Sequence, residues 1–197
     1  MEMNLLIGLT SFAFVTSVTP GPNNLMLMAS GANFGFRRSL WHMLGINAGF
    51  ASLVFVVGLG LGSLISAFPA SQTVLKLVAT VYMLWLAWKI AHSGAPAHGR
   101  VSGRPMTLLQ AAAFQWVNPK AWAMALGAVS AYSGSGDLAA TIQVVAVFST
   151  VNLPCIALWC LAGEGLRRVL TNPNRLAVFN WTMAGLLVLS LYPVLTL

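Results

Sequence analysis

The sequence predicts an all-α integral membrane protein with six transmembrane helices, arranged as two inverted three-helix repeats whose helices 1 and 4 are broken at Pro/Asn motifs. Three observations predict this fold: an apolar composition, six long apolar runs, and two proline interruptions half a chain apart. Of the 197 residues, 58% are hydrophobic and only 7% are charged. A soluble domain carries about 25% charged residues. An ordinary soluble enzyme, a disordered protein and a free nucleic-acid binder are therefore excluded.

Each of the six apolar runs is long enough to cross the hydrocarbon core, which takes about 20 helical residues. The runs cover roughly 4–30, 40–67, 73–91, 106–131, 138–162 and 176–196. The first run is not predicted to be a removable signal peptide, because residues 1–4 contain Glu2 but no Lys or Arg, and no cleavage pattern follows. The sequence thus predicts one transmembrane domain over 1–197, with repeat 1 at about 1–91, a basic connector at about 92–105 and repeat 2 at about 106–197.

Most of the basic residues lie between the runs and give the chain its net charge of +7. Connectors one, three and five, together with Lys89 just before the third, account for eight of the ten Lys and Arg residues, whereas connectors two and four, near 68–72 and 132–137, hold none. Cytoplasmic loops of membrane proteins are enriched in Lys and Arg. The basic connectors are therefore predicted to be cytoplasmic and both termini periplasmic.

Two runs carry proline motifs that a continuous helix does not accommodate, since proline lacks an N–H and clashes with the preceding turn. The first run contains Thr19-Pro20-Gly21-Pro22-Asn23-Asn24, and the fourth contains Asn118-Pro119-Lys120. A second pair of motifs repeats at a constant offset of 105: Asn47 precedes Gly58-Leu59-Gly60 as Asn152 precedes Gly163-Glu164-Gly165. Runs one to three and four to six are therefore predicted to be copies of one unit.

Interrupted helices at matching places in inverted repeats indicate a transporter whose binding site lies at the membrane midplane. A broken helix presents N–H groups at one new end and C=O groups at the other, which attract a carboxylate and an ammonium group respectively. A zwitterionic amino acid carries both. The alternative is a purely structural proline kink, filled by neighbouring side chains.

The residues in and around these breaks are the candidate substrate-binding residues. Lys120 is the one basic side chain well inside a run, and it either binds a substrate carboxylate or pairs with carbonyls freed by Pro119. The amides of Asn47 and Asn152 fit either a polar cavity or a fastening between helices. The complete set is Pro20, Gly21, Pro22, Asn23, Asn24, Asn47, Gln115, Asn118, Pro119, Lys120 and Asn152.

Proton coupling has two candidates, Glu164 and His42. Glu164 lies three and four residues before Arg167 and Arg168, which is also the spacing of a local ion pair on a helix. No other carboxylate lies deep in a run, so a neutral substrate is expected rather than a basic one. The sequence contains no catalytic triad, zinc-ligand spacing or phosphate-binding loop, so no enzyme activity, cofactor or metal is expected.

Two motifs resemble the signatures of the LysE/RhtB family of amino-acid exporters. The first is the segment 19–24 followed by Gly35-Phe36-Arg37-Arg38-Ser39 and Gly45, and the second is Phe114-Gln115-Trp116-Val117-Asn118-Pro119-Lys120-Ala121-Trp122. The run Trp85-Leu86-Ala87-Trp88-Lys89-Ile90-Ala91 is most similar to the cysteine/O-acetylserine exporter branch. The resemblance implies efflux across a bacterial inner membrane, driven by the proton gradient.

The expected function is therefore efflux of small neutral amino acids or derivatives by proton-coupled alternating access. Export of threonine or homoserine, or of a basic amino acid, is the alternative within the transporters. Outside them, a passive channel or a structural membrane subunit stays open, whereas a thiol–disulfide electron carrier would need a cysteine beside each break. The expected partners are the amino acid, protons and the lipid bilayer, with no nucleic acid. Pairing of two copies as a homodimer is left open.

Overall fold

The computed structural model describes residues 2–61, 69–93, 103–133 and 137–192, and within these ranges the secondary structure is helical, without strands. The all-α prediction is thus confirmed. A 3-10 turn, Arg37–Ser39, leads into α3, and a π-helical turn, Val57–Leu61, follows it. The helices are α1 (Met3–Val18), α2 (Pro22–Phe34), α3 (Leu40–Val56), α4 (Pro69–Ala91), α5 (Leu108–Gln115), α6 (Pro119–Tyr132), α7 (Leu138–Leu166) and α8 (Pro173–Leu189).

Both proline motifs interrupt helices where the sequence predicts it. The axes of α1 and α2 are bent by 53° across the first break. There Thr19 is extended, with ψ 146°, as expected for a residue that precedes a proline. The second break separates α5 from α6, and Asn118, also extended, is the N-cap of α6.

The structure does not confirm the predicted number of six membrane crossings. Within the described ranges, three helical stretches are long and apolar enough to cross a bilayer: Arg37–Leu61, Thr73–Ala91 and Leu138–Leu166. The bent pair α1 and α2 adds a fourth if it forms one span. The fourth predicted run is divided into helices of 8 and 14 residues, and α8 has 17. A continuous helix of about 20 residues is needed for a crossing, so these pieces do not qualify singly.

The outer surface of the helical assembly is strongly apolar. Large hydrophobic side chains such as Trp41, Leu77, Val81 and Trp181 are each more than half exposed. Water-soluble proteins rarely expose so much contiguous apolar surface. These helices are therefore suited to a lipid environment, as the composition predicts.

Glycines let two pairs of helices pack at backbone contact. A Cβ atom on Gly31 of α2 would collide with the carbonyl oxygen of Cys160 in α7, and one on Gly163 would collide with that of Met28. In the same way Gly45 and Gly49 of α3 lie directly against the backbone of α5. Small residues at such crossings bring membrane helices close together.

The packing of the two halves is reciprocal. Helix α1 packs on α7, α5 packs on α3, and α3 and α7 pack on one another. Because α1 and α5 each precede a break, this arrangement brings the two breaks to the same region of the molecule. Helices α4 and α8 pack together elsewhere.

Candidate functional site

Lys120 joins the second break to the first. Its ammonium group donates to the carbonyl oxygen of Thr19 at 2.8 Å, to the Thr19 hydroxyl at 3.0 Å and to the Pro20 carbonyl at 3.3 Å. A cation at the C-terminal end of a helix interacts favourably with the helix dipole. Lys120 therefore pairs with carbonyls of the opposite break, and not with carbonyls freed by Pro119.

Asn23 and Gln115 make the second connection between the breaks. The Asn23 amide donates to Gln115 Oε1 at 2.8 Å, and the Gln115 amide donates to Asn23 Oδ1 at 3.0 Å. Asn23 directly follows the proline that begins α2, as Lys120 directly follows the proline that begins α6. Each side chain reaches the end of the half-helix before the opposite break, so the two connections correspond.

Side chains satisfy the carbonyl groups that the first break releases. Asn24 donates to the carbonyls of Ser17 and Thr19, both at 2.8 Å. The indole of Trp159 in α7 donates to the Val18 carbonyl at 3.0 Å. With Lys120 on Thr19 and Pro20, four consecutive carbonyls at the end of α1 have side-chain donors. Irregular backbone away from water requires such partners.

The two helix starts at the breaks differ in their capping. Asn118 accepts a hydrogen bond from the backbone N–H of Lys120 at 3.2 Å and thereby caps α6. The N-cap of α2 is Gly21, which has no side chain to cap it. An uncapped helix start presents free N–H groups and a positive dipole end, which favour an anion.

A polar cavity lies between the breaks, with a volume of about 320 Å³ including its open mouth. No Asp or Glu lines it within the described part of the chain. Its apolar side is formed by Phe50, Ala121 and Met124. The remaining lining residues are Thr16, Ser17, Gly21, Asn23, Asn24, Asn118, Lys120 and Asn152.

Asn47 and Asn152 meet between α3 and α7. The Asn152 amide donates to Asn47 Oδ1 at 3.2 Å. Asn152 also lines the cavity, whereas Asn47 does not. Asn47 therefore holds α3 to α7 through this hydrogen bond. Asn152 makes the same bond and also forms part of the cavity wall.

Of the predicted set, Gln115 lies beside the cavity rather than in its lining. It is fully buried, and its amide also donates to the Ala111 carbonyl at 3.0 Å. Pro20, Pro22 and Pro119 shape the backbone of the breaks, and their side chains are not part of the lining.

Sequence reasoning missed five lining residues: Thr16, Ser17, Phe50, Ala121 and Met124. Ser17 is buried and its hydroxyl has no hydrogen-bond partner within the described residues. Its position in the sequence, two residues before Thr19-Pro20, could have identified it as a residue near the first break. Phe50 and Met124 resemble any other core residue in an apolar run, so only the fold identifies them.

The two proton-coupling candidates lie away from the breaks. His42 is buried in α3, at 2% exposure, and lines a different cavity. The Glu164 carboxylate lies against Gly35, close to one Arg167 nitrogen. Even so, no ion pair joins Glu164 to Arg167 or Arg168 among the residues that the structure describes, so that alternative is not realised.

The structure provides no metal site in the part of the chain that it describes, where no group of three His, Cys, Asp or Glu side chains converges. Cys155 and Cys160 are both buried and unpaired. Neither lines the break cavity, and neither adjoins a break in the sequence, as a thiol–disulfide electron carrier would require.

Comparison with known proteins gives a consistent assignment. Residues 14–190 match the family described as LysE type translocator. A cysteine/O-acetylserine efflux protein of Klebsiella pneumoniae is 30% identical over 190 residues, covering 95% of both chains. Proteins with the same description from Escherichia coli K12 and Shigella sonnei are 29% identical over 191 residues, covering 95% of this chain and 96% of theirs. No solved structure matches significantly.

Proposed function

We propose that this chain, which belongs to the LysE type translocator family, exports small neutral amino acids or their derivatives across the bacterial inner membrane. Its relatives described as cysteine/O-acetylserine efflux proteins support this class of substrate. The observation that carries the proposal is the junction of the two broken helices. There Lys120, Asn23 and Gln115 connect the breaks at the edge of a polar cavity.

The junction offers separate partners for the two charges of an amino acid. The carbonyls of Thr19 and Pro20 now hold the Lys120 ammonium, and a substrate ammonium would make the same contacts. We infer that the substrate displaces Lys120 from these carbonyls. The released Lys120 and the uncapped start of α2 then bind the substrate carboxylate, since both favour an anion.

The cavity favours a neutral side chain. A lysine or arginine substrate would bring a second cation next to Lys120 into a cavity whose described lining has no carboxylate. An unpaired charge away from water is costly. Phe50, Ala121 and Met124 form an apolar wall that suits a short aliphatic or thiol-bearing side chain.

Alternating access is the mechanism proposed for this site. The reciprocal packing of α1 on α7 and of α5 on α3 supports two copies of one unit, with each broken pair of helices counted as one span and six crossings in all. Three crossings in each unit make the second unit inverted, with basic connectors in the cytoplasm and termini in the periplasm. Rocking of one unit against the other would open the site to each side in turn.

Proton antiport supplies the driving force in this proposal. Glu164 and His42 are the candidate carriers, and both lie outside the break cavity. Coupling to the break cavity would therefore act through helix movement and not through contact with a substrate bound there.

Transport by the purified protein tests the proposal. Uptake of labelled cysteine, O-acetylserine, threonine, homoserine, leucine, lysine and arginine into proteoliposomes would be measured with and without an imposed pH gradient. We expect saturable, gradient-driven flux of a neutral member of this panel. Flux of lysine or arginine would contradict the argument from the cavity lining. Flux that neither saturates nor responds to the gradient would identify a passive channel.

A further inference from the structure

A second cavity lies along α2, α3 and α4, apart from the break cavity. Its volume is about 410 Å³ including its open mouth. Met26, Leu86 and Ile90 form its apolar walls, and no Asp or Glu lines it within the described residues. The polar lining comes from His42, Lys89 and Arg104, with Ser30, Asn33 and Ser93.

His42 is the feature that the fold itself does not explain. The imidazole is 2% exposed, and neither ring nitrogen has a hydrogen-bond partner among the described residues. A buried polar group without a partner costs free energy. A neutral imidazole has one N–H donor to offer, and His42 lines this cavity together with two cations, Lys89 and Arg104.

Lys89 and Arg104 place two positive charges on this cavity. Lys89 is half-buried, with its ammonium 5.3 Å from the centre of the Trp85 ring. Arg104 is exposed, so its guanidinium lies where the cavity opens. Neither forms an ion pair within the described part of the chain, so neither has a charged partner there that would compete with an anion.

The remaining polar groups of the wall are already paired and hold its shape. Asn33 and Asn180 exchange amide hydrogen bonds at 2.8 and 3.3 Å, and Asn180 also donates to the Ser93 carbonyl. The Ser30 and Ser39 hydroxyls are 2.7 Å apart. Among the described residues of the wall, His42, Lys89 and Arg104 are thus the polar groups left to contact a ligand.

The second cavity lies towards the basic end of the molecule. Asn24 lines the break cavity and Asn33 lines this one, and nine residues of α2 separate them by about 14 Å at the α-helical rise. The two linings have no residue in common, so each cavity has its own set of contacts. For a protein whose basic connectors face the cytoplasm, the second cavity is the one that a substrate leaving the cell reaches first.

We propose that this cavity is a cytoplasmic loading site that binds the carboxylate of the exported amino acid through His42, Lys89 and Arg104. The identity of the ligand rests on the proposed function, whereas its carboxylate chemistry rests on the cavity. The apolar wall accommodates a short side chain, and the open mouth leaves the ammonium group in water. This site therefore does not select for the charge of the substrate's amino group. The break cavity does, because the carbonyls of Thr19 and Pro20 are proposed to bind that group as an ammonium.

Binding would be measured on the purified protein by NMR of ring-labelled histidine, with the His42 signal assigned by its loss in His42→Gln. We expect cysteine and N-acetylcysteine to shift this signal saturably and cysteamine, which lacks the carboxylate, to leave it unchanged. Lys89→Met and Arg104→Gln should each raise the dissociation constant about tenfold, since each removes a charge-assisted contact. Arg168→Gln removes an exposed basic residue outside the cavity and should have no effect.

Three results would overturn the proposal: an equal shift with cysteamine, affinities unchanged in Lys89→Met and Arg104→Gln, or equally tight binding of acetate or chloride. The last result would identify a general anion site that does not select the amino acid. Any of them leaves the proposed export function standing if the wild-type protein still transports.

Transport kinetics separate the failure of the loading site from failure of the proposed function. In everted vesicles, where the cytoplasmic face is outside, Lys89→Met should raise KM for cysteine about tenfold and leave the maximal rate unchanged. In right-side-out vesicles KM should stay at the wild-type value. An unchanged KM in everted vesicles would refute the loading site, and absence of wild-type flux in either orientation would refute the export function.

Discussion

Lys120 illustrates what a single residue in the sequence can and cannot predict. Its place after Asn118-Pro119 in an apolar run identified it as a cation that needs a partner. The sequence did not show that this partner is the carbonyl end of the opposite break, at Thr19 and Pro20. Only the reciprocal packing of the halves brings residues a hundred positions apart into contact. The same holds for Asn23 and Gln115.

The paired amides of Asn23 and Gln115 should be energetically coupled. In a double-mutant cycle with Asn23→Ala and Gln115→Ala, thermal unfolding in detergent should give an interaction free energy of about 1 kcal/mol. The reason is that both hydrogen bonds are lost in either single variant. Gln110→Ala is the matched control, because Gln110 caps α5 and bonds to Thr107 instead. Coupling between Asn23 and Gln110 equal to that between Asn23 and Gln115 would contradict this account.

At the scale of helices, the sequence located both breaks but not every role of proline. Pro154 lies within α7, which continues through it from Leu138 to Leu166. A lone proline inside a membrane helix is tolerated when neighbouring groups satisfy the freed carbonyl. The breaks instead combine proline with an extended residue before it, and polar side chains bond the end of α1 and the start of α6.

Backbone contact between α2 and α7 predicts a position-specific response to alanine. Gly163→Ala should lower the free energy of unfolding by about 1–3 kcal/mol, since its methyl group would collide with the Met28 carbonyl and overpack the crossing. Gly165→Ala, two residues along the same helix, meets nothing within 4 Å and should change stability by less than about 1 kcal/mol. Equal thermal stability of the two variants would argue against this crossing.

At the scale of the whole molecule, the basic connectors converge as the charge pattern predicts. Gly35 in the first connector lies beside Arg167 of the fifth, and Gly103 of the third lies beside Phe34 at the end of α2. Arg100 and residues 193–197 lie outside the described ranges. The number of crossings was less predictable, because hydropathy does not distinguish one span from two half-length helices in series.

Accessibility of introduced cysteines tests the orientation. Arg38→Cys and Arg168→Cys should react with a membrane-impermeant thiol reagent only from the cytoplasmic side. Glu2→Cys and Leu138→Cys should react only from the periplasmic side, because they flank the opposite ends of spans. Labelling in intact cells and in everted vesicles gives the two readouts. The native cysteines are buried, which keeps the background low. Reaction of Arg38→Cys and Glu2→Cys from the same side would refute the six-crossing arrangement.

The most direct test of the central claim, that the joined breaks form the transport site, is gradient-driven uptake of a neutral amino acid by Lys120→Ala in proteoliposomes. We predict that transport is abolished while expression and folding are retained, because the substrate carboxylate loses its cation. Lys76→Ala, which removes a lysine from α4 away from the cavity, should transport like the wild type. Normal transport by Lys120→Ala would contradict the account and leave Lys120 a structural cap of α1.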